Sequence, residues 1–207
     1  MANSDLVLRE FVTAIINGDR SSSSRLLAVS PTLARAYFQT GATRGSEDDY
    51  FLDQIKRYIF AGDTALHFAG AAYQAALVRE LIAAGADVRA RNRHGQEALH
   101  SAVVGIPGSH FWNPASQAAT IVCLIEAGAD PNALDKSGVA PLHRAVRTRC
   151  AAAVRALLEN GADPARRNKS GSTPTLLAIQ NTGRGGTGSQ EAKAEQQEIL
   201  RLLGQRD

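Results

Sequence analysis

The sequence is poor in cysteine and aromatic residues, and it contains no long hydrophobic run. Of its 207 residues only two are cysteine, and aromatic residues amount to 5%, which suits a core of leucine, valine and alanine. No stretch approaches the ~18 apolar residues of a membrane-spanning helix. The first residues lack a basic segment followed by an apolar run, so we expect no signal peptide. Cys123 and Cys150 do not form a metal-type pair, and with no export signal they favour a reducing cytoplasm.

The chain also lacks a strong excess of either charge. Its formal net charge is +3 at pH 7, which by itself predicts neither a nucleic-acid-binding nor a membrane-binding protein. Its apolar fraction of 44% is ordinary for a packed soluble protein.

One short segment recurs four times along the chain. Each copy begins with glycine and ends with alanine: the copies are GDTALHFA at 62–69, GQEALHSA at 95–102, GVAPLHRA at 138–145 and GSTPTLLA at 171–178. Their opening glycines lie 33, 43 and 33 residues apart. A second marker, Gly-Ala-Asp, begins at positions 85, 128 and 161, again 43 and 33 apart. Two independent markers with the same spacing indicate a structural repeat.

The residue types in the motif are those that begin and end a short helix. Glycine allows a tight turn before the helix, and Thr64 or Thr173 can cap free backbone N–H groups. Pro141 and Pro174 fall in the first helical turn, where a missing N–H does no harm. Leucine then begins the buried stripe, and alanine lets the next helix approach. The glycine of the second marker ends the following helix.

The motif and its period resemble the ankyrin repeat family, whose unit of about 33 residues contains a β-turn and two helices. The resemblance implies an all-α solenoid of stacked helix-turn-helix units with β-turn hairpins, preceded here by an N-terminal helical extension. Glu97 and Ala140 depart from the family pattern where threonine is usual, and Leu176 stands where histidine is usual. The fourth copy is therefore expected to be a terminal capping unit.

We expect five segments along the chain. They are a helical cap with a degenerate repeat and extra helices at 1–59, a repeat at 60–91, a repeat with an inserted loop at 92–134, a repeat at 135–167, and a capping repeat with a Gly-rich loop at 168–207. The two insertions, of ten and about twelve residues, fall between paired helices. Within the cap, Leu52, Ile55 and Ile59 predict a helix from about 47 to 60.

Three histidines, His67, His100 and His143, occupy the same motif position. Copies one repeat apart lie too far from each other to share one metal ion through Zn–N bonds of ~2.0–2.1 Å. The ankyrin resemblance implies instead that each histidine forms hydrogen bonds between neighbouring turns. No Ser-His-Asp or Cys-His set in the sequence predicts nucleophilic catalysis. We therefore expect no enzyme, no metal and no cofactor.

The segment 183–188, GRGGTG, loosely matches a phosphate-binding glycine pattern. Such a site requires a preceding strand in a βαβ unit, whereas here a helix precedes the segment. A loop that joins two helices is the better interpretation. Its N–H groups and the start of the last helix could still hold a small anion.

Basic residues recur on the edge from which ankyrin hairpins project. This hairpin ridge comprises Arg89, Arg91, Arg93, His94, Lys136, Arg166, Arg167 and Lys169. An ordinary solvated face is one interpretation, and a cationic ridge that meets an acidic partner is the other.

The loops between paired helices share the opposite edge of the stack. Equivalent places in successive repeats hold four residues that we call the loop edge: Trp112, Arg147, Arg149 and Arg184. Tryptophan and arginine are enriched in binding hot spots. The loop edge is thus either a composite recognition site or a structural patch in which Trp112 covers the next repeat.

The sequence therefore predicts a non-enzymatic cytoplasmic module, since ankyrin proteins are mainly protein-binding scaffolds. The expected partner is another protein, and an acidic one suits the basic residues. The alternative is a binder of an anionic small molecule or nucleic acid through the hairpin ridge or the loop edge. Nucleic acid is the less expected ligand, and no membrane partner is expected.

Overall fold

The structure, a computed structural model, describes residues 3–43, 45, 48–180 and 190–204. These residues are mainly helical, with one two-stranded sheet formed by β1 (Phe51–Leu52) and β2 (Arg57–Tyr58). The α-helices are α1 (Asn3–Ile16), α2 (Arg20–Val29), α3 (Ala65–Ala71), α4 (Ala75–Ala83), α5 (Ala98–Ala102), α6 (Pro114–Glu126), α7 (Pro141–Arg147), α8 (Ala151–Glu159), α9 (Pro174–Ile179) and α10 (Gln190–Leu202).

Consecutive helices form pairs that stack along the chain in two rows. The first helices of the pairs, from α1 to α9, pack against one another in an inner row, and the second helices, from α2 to α10, form an outer row. The motif leucines Leu66, Leu99 and Leu142 belong to the core and are at most 1% exposed. This is the all-α solenoid that the repeat predicts. No helix among the described residues is both long and apolar enough to cross a membrane.

A tight turn joins each clear repeat to the next and is built in the same way three times. In the middle turn, the Asp135 N–H donates to the carbonyl of Val139 at 3.1 Å, and the Asp135 carboxylate accepts two N–H groups of the turn. Gly138 has a φ of 72°, a left-handed conformation that glycine adopts without strain. The neighbouring turns repeat these side-chain bonds through Asn92 and Asn168.

The motif histidines link successive turns. Nδ1 of His100 accepts the N–H of Glu97, so the ring proton lies on Nε2, which donates to the carbonyl of Val139 at 3.2 Å. His67 and His143 make equivalent bonds to carbonyls of their next turns, at 2.9 and 3.1 Å. All three rings are buried. The ring nitrogens are thus used in the structural bonds that the resemblance implies.

The segment from 47 to 60 corrects a prediction, because its described residues do not form one continuous helix. Short 3-10 helices at Asp48–Tyr50 and Asp53–Ile55 alternate with the strands β1 and β2. The chain reverses at Lys56, whose φ is 48°. In the antiparallel hairpin Phe51 pairs with Tyr58, and Leu52 pairs with Arg57.

The reason lies in the aromatic residues of this segment. The rings of Phe51 and Tyr58 contact each other across the strands, with centroids 4.9 Å apart. Cross-strand aromatic pairs stabilise a hairpin. Leu52 and Ile59 are buried as the apolar spacing predicts, but on the hairpin rather than on a helix.

Candidate binding groove

A groove lies between the inner helices and the hairpin turns. Two adjoining cavities of about 490 and 380 Å³ form it, and they share the lining residues His94, Gln96, Val104 and Arg144. The β1–β2 hairpin, α5 and the first insertion bound the larger cavity. The turn from Asp135 to Val139 and the end of α7 bound the smaller one.

The residue after the motif histidine lines the larger cavity in two of the three clear repeats. This position holds Phe68 in the first clear repeat, Ser101 in the second and Arg144 in the third. Ser101 is small and 4% exposed, and it lines the larger cavity together with Arg144. The guanidinium of Arg57 lies over the Phe68 ring, 4.8 Å from its centroid.

Positive side chains dominate the lining of the groove. Among the described lining residues Asp135 is the one carboxylate, against five cationic side chains: Lys56, Arg57, Lys136, Arg144 and Arg147. Aromatic rings also line the larger cavity, namely Tyr58, Phe60, Tyr73 and Phe111. This combination of positive charge and aromatic surface is complementary to an acidic ligand with apolar groups.

The two arginines that line the larger cavity lie beside buried carboxylates. Nη2 of Arg57 donates to Asp63 at 2.8 Å, and the Asp63 side chain is fully buried. Arg144 lies 3.6 Å from Asp135. Burial lowers the pKa of Arg144, Asp135 opposes this shift, and the positive charge of Arg57 adds to it. The two guanidinium groups therefore lie close enough to repel each other.

His94 lies where the two cavities meet. Its ring packs edge-on against Phe60 with centroids 4.5 Å apart, and Nε2 accepts a bond from Arg93 at 3.2 Å. Partial burial lowers the pKa of His94, and the positive charges of Arg93 and Arg144 lower it further. His94 is thus a neutral, aromatic part of the groove at pH 7.

The structure separates the hairpin ridge into parts with different roles. Arg89 and Arg91 both bind Glu97, whose side chain is fully buried, at 3.5 and 2.9 Å. Glu97 stands where the motif usually has threonine, so these two arginines neutralise a buried carboxylate. A buried charge left without its partner is strongly destabilising. Arg89 and Arg91 are therefore held by the fold, although each remains about half exposed.

The other ridge residues divide between the groove and the next hairpin. Arg93, whose guanidinium lies 5.1 Å from the Phe60 ring centroid, is exposed beside His94. Lys136 is exposed and lines the groove. The remaining three residues belong to the hairpin after the third repeat, outside the lining of the groove: Arg166, Arg167 and Lys169.

Trp112 of the loop edge is partly exposed and anchored to its own repeat. Its indole N–H donates to Gln117 at 3.0 Å, and Gln117 in turn donates to the carbonyl of Ala102. The ring lies against Gly105, where an added Cβ would stand 2.6 Å from Trp112 Cδ1 and 2.9 Å from Cys150 Sγ. Trp112 thus packs at the junction with the third repeat while staying partly exposed, so both interpretations of the loop edge stay predictions.

Replacing Gly105 by alanine is expected to displace Trp112, because the new methyl group has no room. Since Trp112 is the sole tryptophan, its fluorescence emission should shift to longer wavelength, and stability should fall by about 1–3 kcal/mol. Gly45→Ala is the matched control, because a Cβ there meets nothing within 4 Å. Unchanged emission in Gly105→Ala would contradict this packing.

The arginines of the loop edge do not share one environment. Arg147 is exposed at the end of α7 and lines the groove. Arg149 corrects the expectation of a surface charge: it is 3% exposed, and its φ of 56° places it in the left-handed turn between α7 and α8. Arg184 and the whole of 183–188 lie outside the described residues. The composite loop edge thus stays a prediction, while Arg149 is buried.

Sequence reasoning missed the residues at the centre of the groove: Arg57, Tyr58, Phe60, Ser101 and Arg144. Ser101 and Arg144 could have been found, because they occupy one motif position in successive repeats. Arg57 gave no signal, because its segment was predicted to be a helix.

The described residues contain no cluster of His, Cys, Asp and Glu side chains suited to a metal ion. Burial raises the pKa of the Cys150 thiol to about 12, so it is protonated at neutral pH and a poor nucleophile.

Comparison with protein families gives two matches. The model of the ankyrin repeat matches residues 61–93, and a model of ankyrin repeats in many copies matches residues 124–178. A search of curated proteins found no significant match.

Proposed function

The chain is an ankyrin repeat-containing protein, and from this premise we propose that it is a non-enzymatic module that binds an acidic segment of another protein in the groove. Ankyrin repeats are generally protein–protein interaction modules. The observation that supports the finer proposal is the lining of five cationic side chains, one carboxylate and several aromatic rings. The free, buried cysteines Cys123 and Cys150 fit the cytoplasmic location that belongs to this proposal.

The hairpin ridge extends the positive surface beyond the groove. Arg93 and Lys136 are exposed at neighbouring turns, which are joined by a bond from the Lys136 N–H to the carbonyl of His94. Exposed charges of this kind accelerate association and select against basic partners. The groove would hold the segment, and the ridge would attract it.

Charge reversal in the groove tests the proposal. Peptides selected on the immobilised protein from a random-sequence library should be rich in Asp and Glu. Lys136→Glu combined with Arg147→Glu should weaken their binding about tenfold, since two exposed attractions become repulsions. Affinity is measured by fluorescence anisotropy at low salt, where screening is small.

The matched control moves the same charge change to the outer row. Arg79→Glu combined with Lys193→Glu alters two exposed residues of α4 and α10 and should leave peptide affinity unchanged. Equal losses of peptide affinity in both double variants would mean that affinity depends only on the net charge of the protein. That result would contradict binding of the peptide in the groove.

The nucleic-acid alternative has its own signature. Duplex DNA that bound the protein more tightly than the selected peptides would favour that alternative. In that case log K should fall linearly with log salt, by about 0.9 for each phosphate contacted. Weak DNA binding, with a log K that changes little with log salt, supports the proposal that the ligand is an acidic peptide.

A further inference from the structure

The larger cavity contains two arginines whose partners do not satisfy them. Arg57 and Arg144 come from β2 and α7, distant parts of the chain that both line this cavity. Asp63 accepts from Nη2 of Arg57, and Asp135 lies by the terminal Nη2 of Arg144. Nη1 of Arg57 and Nε of Arg144 have no hydrogen-bond partner among the described residues. Each guanidinium therefore keeps donor capacity beyond its carboxylate.

Ser101 adds a third donor to the same cavity. It lies on α5, one repeat before Arg144, and its Oγ also has no hydrogen-bond partner among the described residues. Buried polar groups are normally paired. Three unpaired donors thus belong to residues that line the same cavity.

The carboxylates of this region are already engaged. Asp63 accepts bonds from Arg57, from the side chain of Asn92 and from the N–H of Phe60. Asp135 accepts two N–H groups of its turn. Neither carboxylate can turn toward the cavity without breaking a turn of the solenoid. The unpaired donors of Arg57 and Arg144 therefore have no free carboxylate of this region to pair with.

The walls of the cavity make an anion there more strongly bound than on open surface. Tyr58, Phe60 and Phe111 line it, and Arg57 packs over Phe68. The side chains of Arg57 and Arg144 are only 14% and 26% exposed. Charge-assisted hydrogen bonds strengthen as water is removed.

We propose that Arg57, Arg144 and Ser101 form an oxyanion site, in which the groove receives a carboxylate or phosphate group of the bound segment. This site rests on the proposed function, because the anion is a side chain of the acidic partner. The anion would lie between two guanidinium groups, offset their mutual repulsion and accept bonds from donors that now have none. Arginine suits this task because its planar fork matches carboxylate and phosphate oxygens.

The free anion tests the site without any peptide. Inorganic phosphate is titrated into the labelled protein at constant ionic strength, and the Nε–Hε signals of arginine are followed by NMR. The Arg144 signal should move and saturate, whereas that of Arg155 on α8, which pairs with Glu198, should not. A non-saturating shift shared by all arginines would overturn the site.

Two variants show whether the named residues carry the binding. Arg144→Gln removes one guanidinium, and Ser101→Leu fills the cavity while leaving both charges. Each should raise the dissociation constant for phosphate about tenfold or more, because a charge-assisted bond is lost or blocked. Their controls are Arg155→Gln and Ser170→Leu, both at exposed positions. Should Arg144→Gln fail to fold, Ser101→Leu remains decisive, and wild-type affinity in it overturns the proposal.

The chemistry of the anion follows from a second titration. Tighter binding of acetate identifies a carboxylate site, and tighter binding of phosphate identifies a site for a phosphorylated residue; both results support an oxyanion site. Peptides that bind the groove while no anion moves Arg144 would remove the oxyanion site and leave the proposed function. Phosphate bound at Arg144 without any peptide binding would support the oxyanion site and contradict the proposed function.

Discussion

Replacing Leu142 by alanine is expected to destabilise the protein by about 2–5 kcal/mol, the usual cost of removing a buried leucine side chain. Leu142 is 1% exposed and belongs to the core beside Ala145 and Val146. It lies on α7, which packs against α8 and α9. Because each repeat of a solenoid is stabilised by its neighbours, a cavity here weakens the packing within the third repeat and onto the fourth.

Leu176→Ala provides the comparison, since it makes the same chemical change on α9. Leu176 is 42% exposed, so its removal should cost well under 2 kcal/mol. Urea unfolding followed by circular dichroism measures both variants. Similar losses in the two variants, or an unchanged midpoint in Leu142→Ala, would contradict the placement of the motif leucines in the core.

Lowering the pH from about 7 to about 5 is expected to reduce stability, with His100 as a main contributor. Burial lowers the pKa of His100 to about 4, and the positive charge of Arg144 adds to this shift. In the unfolded chain a histidine titrates near 6.5. Below about 6.5 the unfolded state therefore takes up a proton that the folded state does not, and stability falls until about pH 4. The full effect is on the order of 3 kcal/mol.

The same direction holds for the other two linked histidines. Burial lowers the pKa of His67, although Asp63 opposes it, and burial also lowers the pKa of His143. Protonation would place a hydrogen on Nδ1, which in each ring accepts a backbone N–H. The bond would be lost and the helix start would lose its cap.

A histidine outside the three linked motif positions separates this effect from general acid sensitivity. The slope of unfolding free energy against pH, measured between about 7 and 5 by urea unfolding, should be smaller in His100→Gln than in the wild type. His110→Gln, at an exposed position, should keep the wild-type slope. A slope unaffected by either change would contradict the assignment of the pH dependence to His100.

The repeats were predictable because their signals are local. Glycine, the motif leucine and the motif histidine recur at fixed spacing, and each acts within one turn or between adjacent turns. His100 bonds to Glu97 in its own repeat and to Val139 in the next. Such contacts are set by the repeat itself, so a sequence period is enough to infer them.

The features that the sequence did not predict depend on contacts between distant segments. The spacing of Leu52, Ile55 and Ile59 suits a helix, and only the pairing of Phe51 with Tyr58 shows the hairpin. The sequence suggests that Arg149 is a surface charge, whereas in the structure it lies in a left-handed turn and is buried.

Part of the groove could have been predicted from the sequence. The position after the motif histidine could have pointed to Ser101 and Arg144, but nothing in the sequence links Arg57 to Arg144, which lies 87 residues later in the chain. The sequence likewise suggests that Arg89 and Arg91 are free charges. In the structure both pair with Glu97, whose side chain is buried.

Amide hydrogen exchange with a selected acidic peptide tests the central claim most directly. The account predicts slower exchange on peptide binding at the groove, in the segments 56–60, 92–97 and 135–147, with no change in the outer helices α4, α6 and α8. At a peptide concentration near the wild-type Kd, the protection should fall strongly when Lys136→Glu and Arg147→Glu are combined. Protection confined to the outer row, or protection in the groove that survives both charge reversals, would contradict the claim that this groove binds acidic segments.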